Sequence, residues 1–156
     1  MIAADGERGA ARAARLADMM MVDPTEPWAA LDAAVEKFDA DRGDRMGELV
    51  LFTYGGLSDE GRDAAWNDVA DGFRYMRHNY DRWMGRELTR QIPPPRYRLL
   101  LGTPAEVATQ ALEYRSRYGD RVHAVLRCNY PGMAASAVRE QIRLWGEAAG
   151  RARSTN

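Results

Sequence analysis

Leu99-Leu-Leu-Gly-Thr-Pro-Ala-Glu-Val-Ala108 and Val122-His-Ala-Val-Leu-Arg-Cys-Asn-Tyr-Pro-Gly-Met133 are the stretches whose reading decides the fold. Thr103-Pro-Ala-Glu106 forms a capping-box pattern with Pro at the first helical position. The Thr hydroxyl and the Glu carboxylate satisfy orphan amides of the first turn, where Pro has no N–H to lose. Val122–Arg127 reads as a buried strand. Asn129-Tyr-Pro-Gly132 ends it in a sharp turn, and an amphipathic helix follows from about Met133. Capped helix, buried strand, turn and helix in that order are how a parallel βα unit is written in sequence.

The same grammar extends towards the N-terminus. Asp5-Gly-Glu-Arg-Gly9 leads into an Ala-rich helix with Ala13, Leu16, Ala17 and Met20 at helical spacing, small enough to pack closely on a sheet. Met19-Met-Met-Val22 reads as a short buried strand ended by Asp23-Pro24. Thr25-Glu-Pro-Trp28 opens a second helix with Leu31, Val35 and Phe38 on one face. Glu48-Leu-Val-Leu-Phe-Thr-Tyr54 is the next strand, stopped by Gly55-Gly56. A long helix from about Ser58 carries Trp66, Val69, Phe73, Met76, Tyr80 and Trp83 in steps of three and four, with Asp59 and Glu60 complementing its dipole. Ile92-Pro-Pro-Pro95 breaks it, and Ser154-Thr-Asn156 is a frayed tail. Short apolar strands, each followed by a helix, define parallel α/β architecture. Three strands with this much helix form an incomplete sheet.

A chain of 156 residues with net charge −1 fits one domain able to bury a core. Acids and bases are interspersed, which excludes the electrostatic footprint of a nucleic-acid binder. No apolar run approaches the roughly 18 residues of a membrane span, and the N-terminus has no signal-peptide pattern. Cys128 stands alone, so neither a disulfide framework nor a Cys-based metal site is expected. His123 has no second His or Cys near it and His78 sits on a solvated helix face, so no metal is expected. A cytoplasmic location follows.

Several of these elements resemble the bacterial luciferase-like flavin-dependent monooxygenases. Gly102-Thr-Pro-Ala-Glu-Val-Ala108 resembles their G-[TS]-P-E-E-V-A helix start. Val125-Leu-Arg-Cys-Asn-Tyr-Pro-Gly-Met133 resembles their V-L-R-x-x-[WY]-P-G-M strand end. Ala13-Ala-Arg-Leu-Ala-Asp18 resembles an A-A-R-L-G-D element, and Ser58–Trp83 the E-E-A-W helix. The resemblance implies an α/β chain forming the C-terminal portion of a (β/α)8 TIM barrel, about strands six to eight with their helices. Met1–Gly6 would be the tail of strand five, residues 1–150 the barrel half and residues 151–156 a tail. It further implies an oxidoreductase using reduced FMN, or in some branches the deazaflavin F420, on a small organic substrate. The family's catalytic residues lie in the N-terminal half, which nothing here matches. The chain is therefore expected to be a C-terminal fragment with little turnover, completed by the missing barrel half or by homo-oligomerisation. The alternative is a non-catalytic half-barrel binding or assembly module.

Two loops carry the implied site. The turn after strand five holds the flavin phosphate at the next helix start, where free amides and the helix dipole favour an anion. Here that turn supplies Asp5, Gly6, Arg8 and Gly9. The glycines permit close backbone approach, and Arg8 adds a charge-assisted contact. Family members often carry Ser or Thr there, so the glycines remove hydroxyl contacts. Two glycines also suit an ordinary strand–helix turn. Asn129 and Tyr130 supply the second loop, Tyr130 either walling the flavin or substrate pocket or packing on the final helix. Arg127, if it points inwards, needs a phosphate or carboxylate partner.

Overall fold

The computed structural model describes residues 1–24, 27–85, 98–127 and 129–154. Its elements are β1 (Ile2–Ala3), α1 (Gly6–Leu16), β2 (Met19–Val22), α2 (Trp28–Arg42), β3 (Glu48–Leu57), α3 (Arg62–Trp83), β4 (Leu100–Gly102), α4 (Pro104–Tyr118), β5 (Val122–Arg127) and α5 (Ala135–Ser154). They fall into two compact units, Met1–Thr53 with Glu113–Val125, and Tyr54–Leu112 with Leu126–Asn156. The expected helix start at Thr25, the break at Ile92-Pro-Pro-Pro95, the Cys128 thiol and the terminal Thr155-Asn156 lie outside the described residues. No described helix is long and apolar enough to cross a membrane.

In the first unit β1 pairs β2 and β2 pairs β3, both in parallel, with Met20 opposite Leu49 and Val22 opposite Leu51. β5 pairs β3. The Leu49 amide donates to the Arg121 carbonyl at 3.0 Å and the Thr53 hydroxyl to the Val125 carbonyl at 3.2 Å. Both strands advance together between these contacts, so β5 runs with β3. Met20, Leu49, Leu51 and Val22 are buried on one face. The helices bury Ala10, Ala13 and Ala14 from α1 and Leu31, Ala34, Val35 and Phe38 from α2. The packing stripe of α1 is thus alanine alone. Leu16, at the helix end, is exposed, and Ala17 has already left the helix.

Arginines bind the loops of this unit. Arg42 is buried, donates to the carbonyls of Ala17, Arg45 and Met46, and lies over the Phe38 ring. Arg121 grips both Asp39 carboxylate oxygens at 2.6 Å and also donates to the carbonyls of Gly47 and Tyr118. Arg117 holds Asp32 through two bonds of 2.7 and 2.5 Å and covers the Trp28 ring. Such forked pairs fix geometry as well as charge. Burial, then the hydrogen bond to Asp32, pushes the Tyr118 phenol upwards.

β5 departs from the expected buried strand. Its central residues His123, Ala124 and Val125 are exposed. Apolar sequence marks a strand that prefers burial, but burial itself depends on what is there to cover it.

In the second unit the end of β3 pairs β4 in parallel, Gly55 opposite Leu100 and Leu57 opposite Gly102. The strand expected to stop at Gly55-Gly56 therefore runs through both glycines. A Cβ on Gly55 would fall on the Leu100 carbonyl oxygen and 2.8 Å from its carbon; one on Gly56 would sit 2.7 Å from the Ala65 oxygen. The glycines permit close approach and do not end the strand. β4 adds a strand where none was expected. α3 starts at Arg62, after a Ser58–Gly61 turn, so Asp59 and Glu60 precede the helix and Asp63 is the acid of its first turn. Of the α3 stripe, Val69 and Phe73 enter a core with Ala65, Leu99, Leu101 and Tyr130, while Tyr80 and Trp83 are exposed.

Side chains seal the backbone edges of this short sheet. The Tyr130 hydroxyl accepts from the Gly55 N–H and donates to the Gly55 carbonyl, both at 2.8 Å. The Gln141 amide accepts from the Leu57 N–H at 2.9 Å and donates to its carbonyl at 2.8 Å. Gln110 does the same for Leu101, at 3.3 and 2.9 Å. Each side chain stands where a neighbouring strand would supply its ladder.

The capping box forms as the sequence indicated. Glu106 accepts from the Thr103 N–H at 2.8 Å, and the Glu106 N–H donates to the Thr103 hydroxyl at 3.3 Å. The backbone bond from Thr103, then its hydroxyl, holds the Glu106 carboxyl below its ordinary value. A carboxyl depressed in the folded state contributes stability that is complete above the unfolded value and lost as pH falls through the folded one. Glu106→Gln should therefore flatten the acid limb of a plot of Tm against pH from about 6 to about 2. Parallel limbs for variant and wild type would remove this role. At the other end of the chain α5 runs to Ser154, whose hydroxyl donates to Gly150.

Candidate functional site

β1 delivers the chain to α1 through the two-residue step Ala4-Asp5. The Ala4 N–H bonds to the Met21 carbonyl at 2.8 Å, which carries β1's pairing with β2 up to the turn. Asp5 occupies the N-cap position in extended conformation, with no side-chain cap hydrogen bond. Gly6 has φ 64°, a region favouring glycine, and faces open space where a side chain would be. Asp5, Gly6 and Arg8 are exposed. Gly9 sits inside the helix, and a Cβ there would lie 2.9 Å from the Ala4 Cα. It thus lets α1 start hard against the end of β1. The first amides of a helix have no intrahelical acceptor, so the turn presents donors at the positive end of the helix dipole. No atom lies within 4 Å of the place a Gly6 Cβ would take, so the corner is open.

The structure brings Asp5, Gly6, Arg8 and Gly9 together at that helix start. Asn129 and Tyr130 belong to the other unit. Asn129 is exposed, and its carbonyl accepts from Arg127 Nε at 3.0 Å. Tyr130 is buried, edge-on to Phe73 at 6.2 Å, with its hydroxyl on Gly55. Its neighbour is α3, where a Cβ on Gly72 would lie 2.6 Å from the Tyr130 Cβ. Arg127 takes the Asn129 carbonyl and the Tyr130 ring, 5.8 Å to the centroid, as its partners.

A further pair went unread in the sequence. His123 of β5 and Glu48 of β3 are hydrogen-bonded through Nε2 and Oε2. They stand 75 residues apart, a separation at which no periodicity speaks. Among the described residues no three His, Cys, Asp or Glu side chains gather to hold a metal ion. An open groove in the second unit, lined by Ala105, Ala108, Leu112, Gly150 and Arg151 among others, contains none of the expected cofactor residues.

These elements define the class of the chain: an α/β protein with a mostly parallel sheet and five described helices. A solved structure similar to it is the monooxygenase RslO1 from Streptomyces bottropensis, with a TM-score of 0.62 at 18% sequence identity. The match covers 96% of this chain and 46% of that one. The chain thus spans a little under half the length of the protein it resembles. No protein-family model matches the sequence, and no curated protein does.

Proposed function

We propose that this chain is the C-terminal portion of a (β/α)8 barrel of the luciferase-like, flavin-dependent type, acting in a monooxygenase or related oxidoreductase on a small organic substrate. The observation carrying this reading is the α1 start, with its open Gly6 corner, exposed Arg8 and an N-cap without a side-chain cap hydrogen bond. The fold likeness to half of a Streptomyces monooxygenase supports it. In this reading the α1 turn holds the phosphate of FMN, with F420 as the alternative, and the bound flavin supplies the redox chemistry. Arg8 contributes charge and the amides of the first turn contribute direction. Gly9 keeps the helix start against β1, so those amides are fixed before the ligand arrives. Asn129 and Tyr130, in the second unit, are cofactor residues by the resemblance alone. Since the hydroxyl and ring of Tyr130 are engaged in the core, its part would be to hold the loop's shape.

The test is a titration of FMN with the protein, read by flavin fluorescence and repeated with riboflavin, which lacks the phosphate. FMN should bind at micromolar protein, and Arg8→Ala should weaken it by about tenfold, the worth of roughly 1.4 kcal/mol. Riboflavin binding should be indifferent to that substitution. A folded chain that leaves FMN fluorescence untouched would favour the non-catalytic binding or assembly module.

A further inference from the structure

After β5 the chain makes a turn that is closed twice. Tyr130-Pro-Gly-Met133 has Pro at its second position and Gly132, at φ 89°, at its third, the pattern of a type II turn. The Met133 N–H donates to the Tyr130 carbonyl at 3.2 Å, and the Tyr130 N–H donates to the Met133 sulfur at 3.3 Å. A thioether is a weak acceptor, so the second bond lasts only while the sulfur keeps its lone pairs and its place. Met133 is half-buried and packs against the core that Phe73, Leu99, Leu101 and Tyr130 share. The residue thus stands at the boundary of core and solvent.

What hangs on this turn is the seal at the end of β3. Tyr130 is the residue whose hydroxyl answers both polar groups of Gly55, at 2.8 Å each. A Cβ on Gly72 would lie 2.6 Å from the Tyr130 Cβ and 2.7 Å from the Pro131 carbonyl oxygen, so α3 stands hard against the turn. With that side closed, a change in the size or polarity of the Met133 side chain has to be taken up by Tyr130 or by the core.

We propose that Met133 is a reversible oxidation site through which hydrogen peroxide releases the Tyr130 seal on Gly55. The thioether gives two electrons to the peroxide and takes one of its oxygens. The O–O bond breaks, an S=O bond forms and water leaves. The sulfoxide sulfur carries a partial positive charge and no longer suits the Tyr130 N–H. Its oxygen is a strong acceptor, and buried against an apolar core it stands without a donor. To bring that oxygen to the Tyr130 N–H or to water, the side chain must leave the core. Either course withdraws packing or hydrogen bonding from Tyr130, and the Gly55 N–H and carbonyl lose their partner. Gln141 and Gln110 seal Leu57 and Leu101 by bonds that do not pass through this turn. The inference is independent of what ligand the α1 start holds.

The test treats the full chain with hydrogen peroxide and reads amide hydrogen exchange and thermal unfolding before and after. Peptide mapping by mass spectrometry follows each methionine, with Met46, 85% exposed, as the marker of early oxidation. As Met133 gains its oxygen, exchange of the Gly55 N–H should quicken at least about tenfold, while the Leu57 N–H keeps its protection. Tm should fall by about 5 °C. Methionine sulfoxide reductase should restore both readings. Met133→Leu, a swap that nearly conserves volume, should hold its Tm and its Gly55 protection through the same treatment. Met76→Leu, a change beside the same core, should leave the protein as sensitive as wild type. A Met133 that stays a thioether after Met46 and the half-buried Met76 are converted overturns the proposal. So does unchanged Gly55 protection in the oxidised protein, or a Met133→Leu variant that responds as wild type does. Should that variant lose its fold, exchange at Gly55 in the wild type, timed against the appearance of the Met133 sulfoxide, decides the matter alone.

Discussion

Gly55→Ala is expected to destabilise the protein by about 3 kcal/mol, the upper range for forcing extra volume into a packed interior. The added methyl group lands on the Leu100 carbonyl oxygen, and its neighbours there are all backbone atoms of Leu100. Backbone has no rotamer into which it can retreat. On the other side of Gly55 the Tyr130 hydroxyl holds both the N–H and the carbonyl, so the strand cannot slide away without breaking two buried hydrogen bonds. The comparison is Gly146→Ala in α5, where nothing lies within 4 Å of the new Cβ. Alanine is the better helix former, and that variant should gain about 0.5–1 kcal/mol. Urea unfolding of both variants makes the check. If Gly55→Ala stays within about 1 kcal/mol of wild type, the close pairing of β3 with β4 is wrong.

Gln141→Leu should cost a similar amount by the opposite route, an absence in place of a clash. Gln141 is buried and its amide answers both polar groups of Leu57. Leucine fills nearly the same space but leaves an N–H and a carbonyl without partners. At about 1–3 kcal/mol for each stranded group, the loss is about 3 kcal/mol. Gln141→Glu refines the test. A carboxylate still accepts from the Leu57 N–H, but its second oxygen then faces the Leu57 carbonyl with no hydrogen to offer. The protonated acid restores the missing donor, so the folded state favours protonation and raises that group above its unfolded value. Stability contributed in this way is present at low pH and lost as pH rises through the folded value. The deficit of Gln141→Glu against wild type should therefore shrink on acidification, whereas that of Gln141→Leu should not follow it. Equal pH dependence for the two variants would dismiss the amide seal.

Much of the fold is written locally and was legible for that reason. The Thr103–Glu106 capping box, the alanine face of α1 and the apolar stretches of β2, β3 and β5 all depend on neighbours within a few residues. β4 was not legible, because three residues carry no usable period. What makes Leu100–Gly102 a strand is a cleft narrow enough to require Gly55, together with a glutamine nine residues on. Gly55-Gly56 misled for a related reason. Glycine usually punctuates, and only the approach of Leu100 and Ala65 shows that here it makes room. The helix start at Asp5–Gly9 could be located from sequence, as could the turn at Asn129–Tyr130. The attachment of the Tyr130 hydroxyl to a glycine 75 residues earlier could not. The need of Arg127 for a partner was foreseen, but its answer is a carbonyl two residues away and an aromatic ring.

The first unit is assembled from segments far apart in the chain. Arg121 reaches Asp39 across 82 residues, and Arg117 reaches Asp32 across 85. During synthesis at about 5–20 residues per second, the stretch from residue 53 to residue 125 takes roughly 4–14 seconds to appear. Throughout that interval β2 and β3 have emerged without β5, and the acids of α2 wait for guanidinium groups not yet made. Closing so wide a loop is slow compared with forming α1 or α2. The newborn chain therefore passes through a stage in which β2 and β3 are made and β5 is not, and whatever holds nascent chains in the cell has seconds in which to find them.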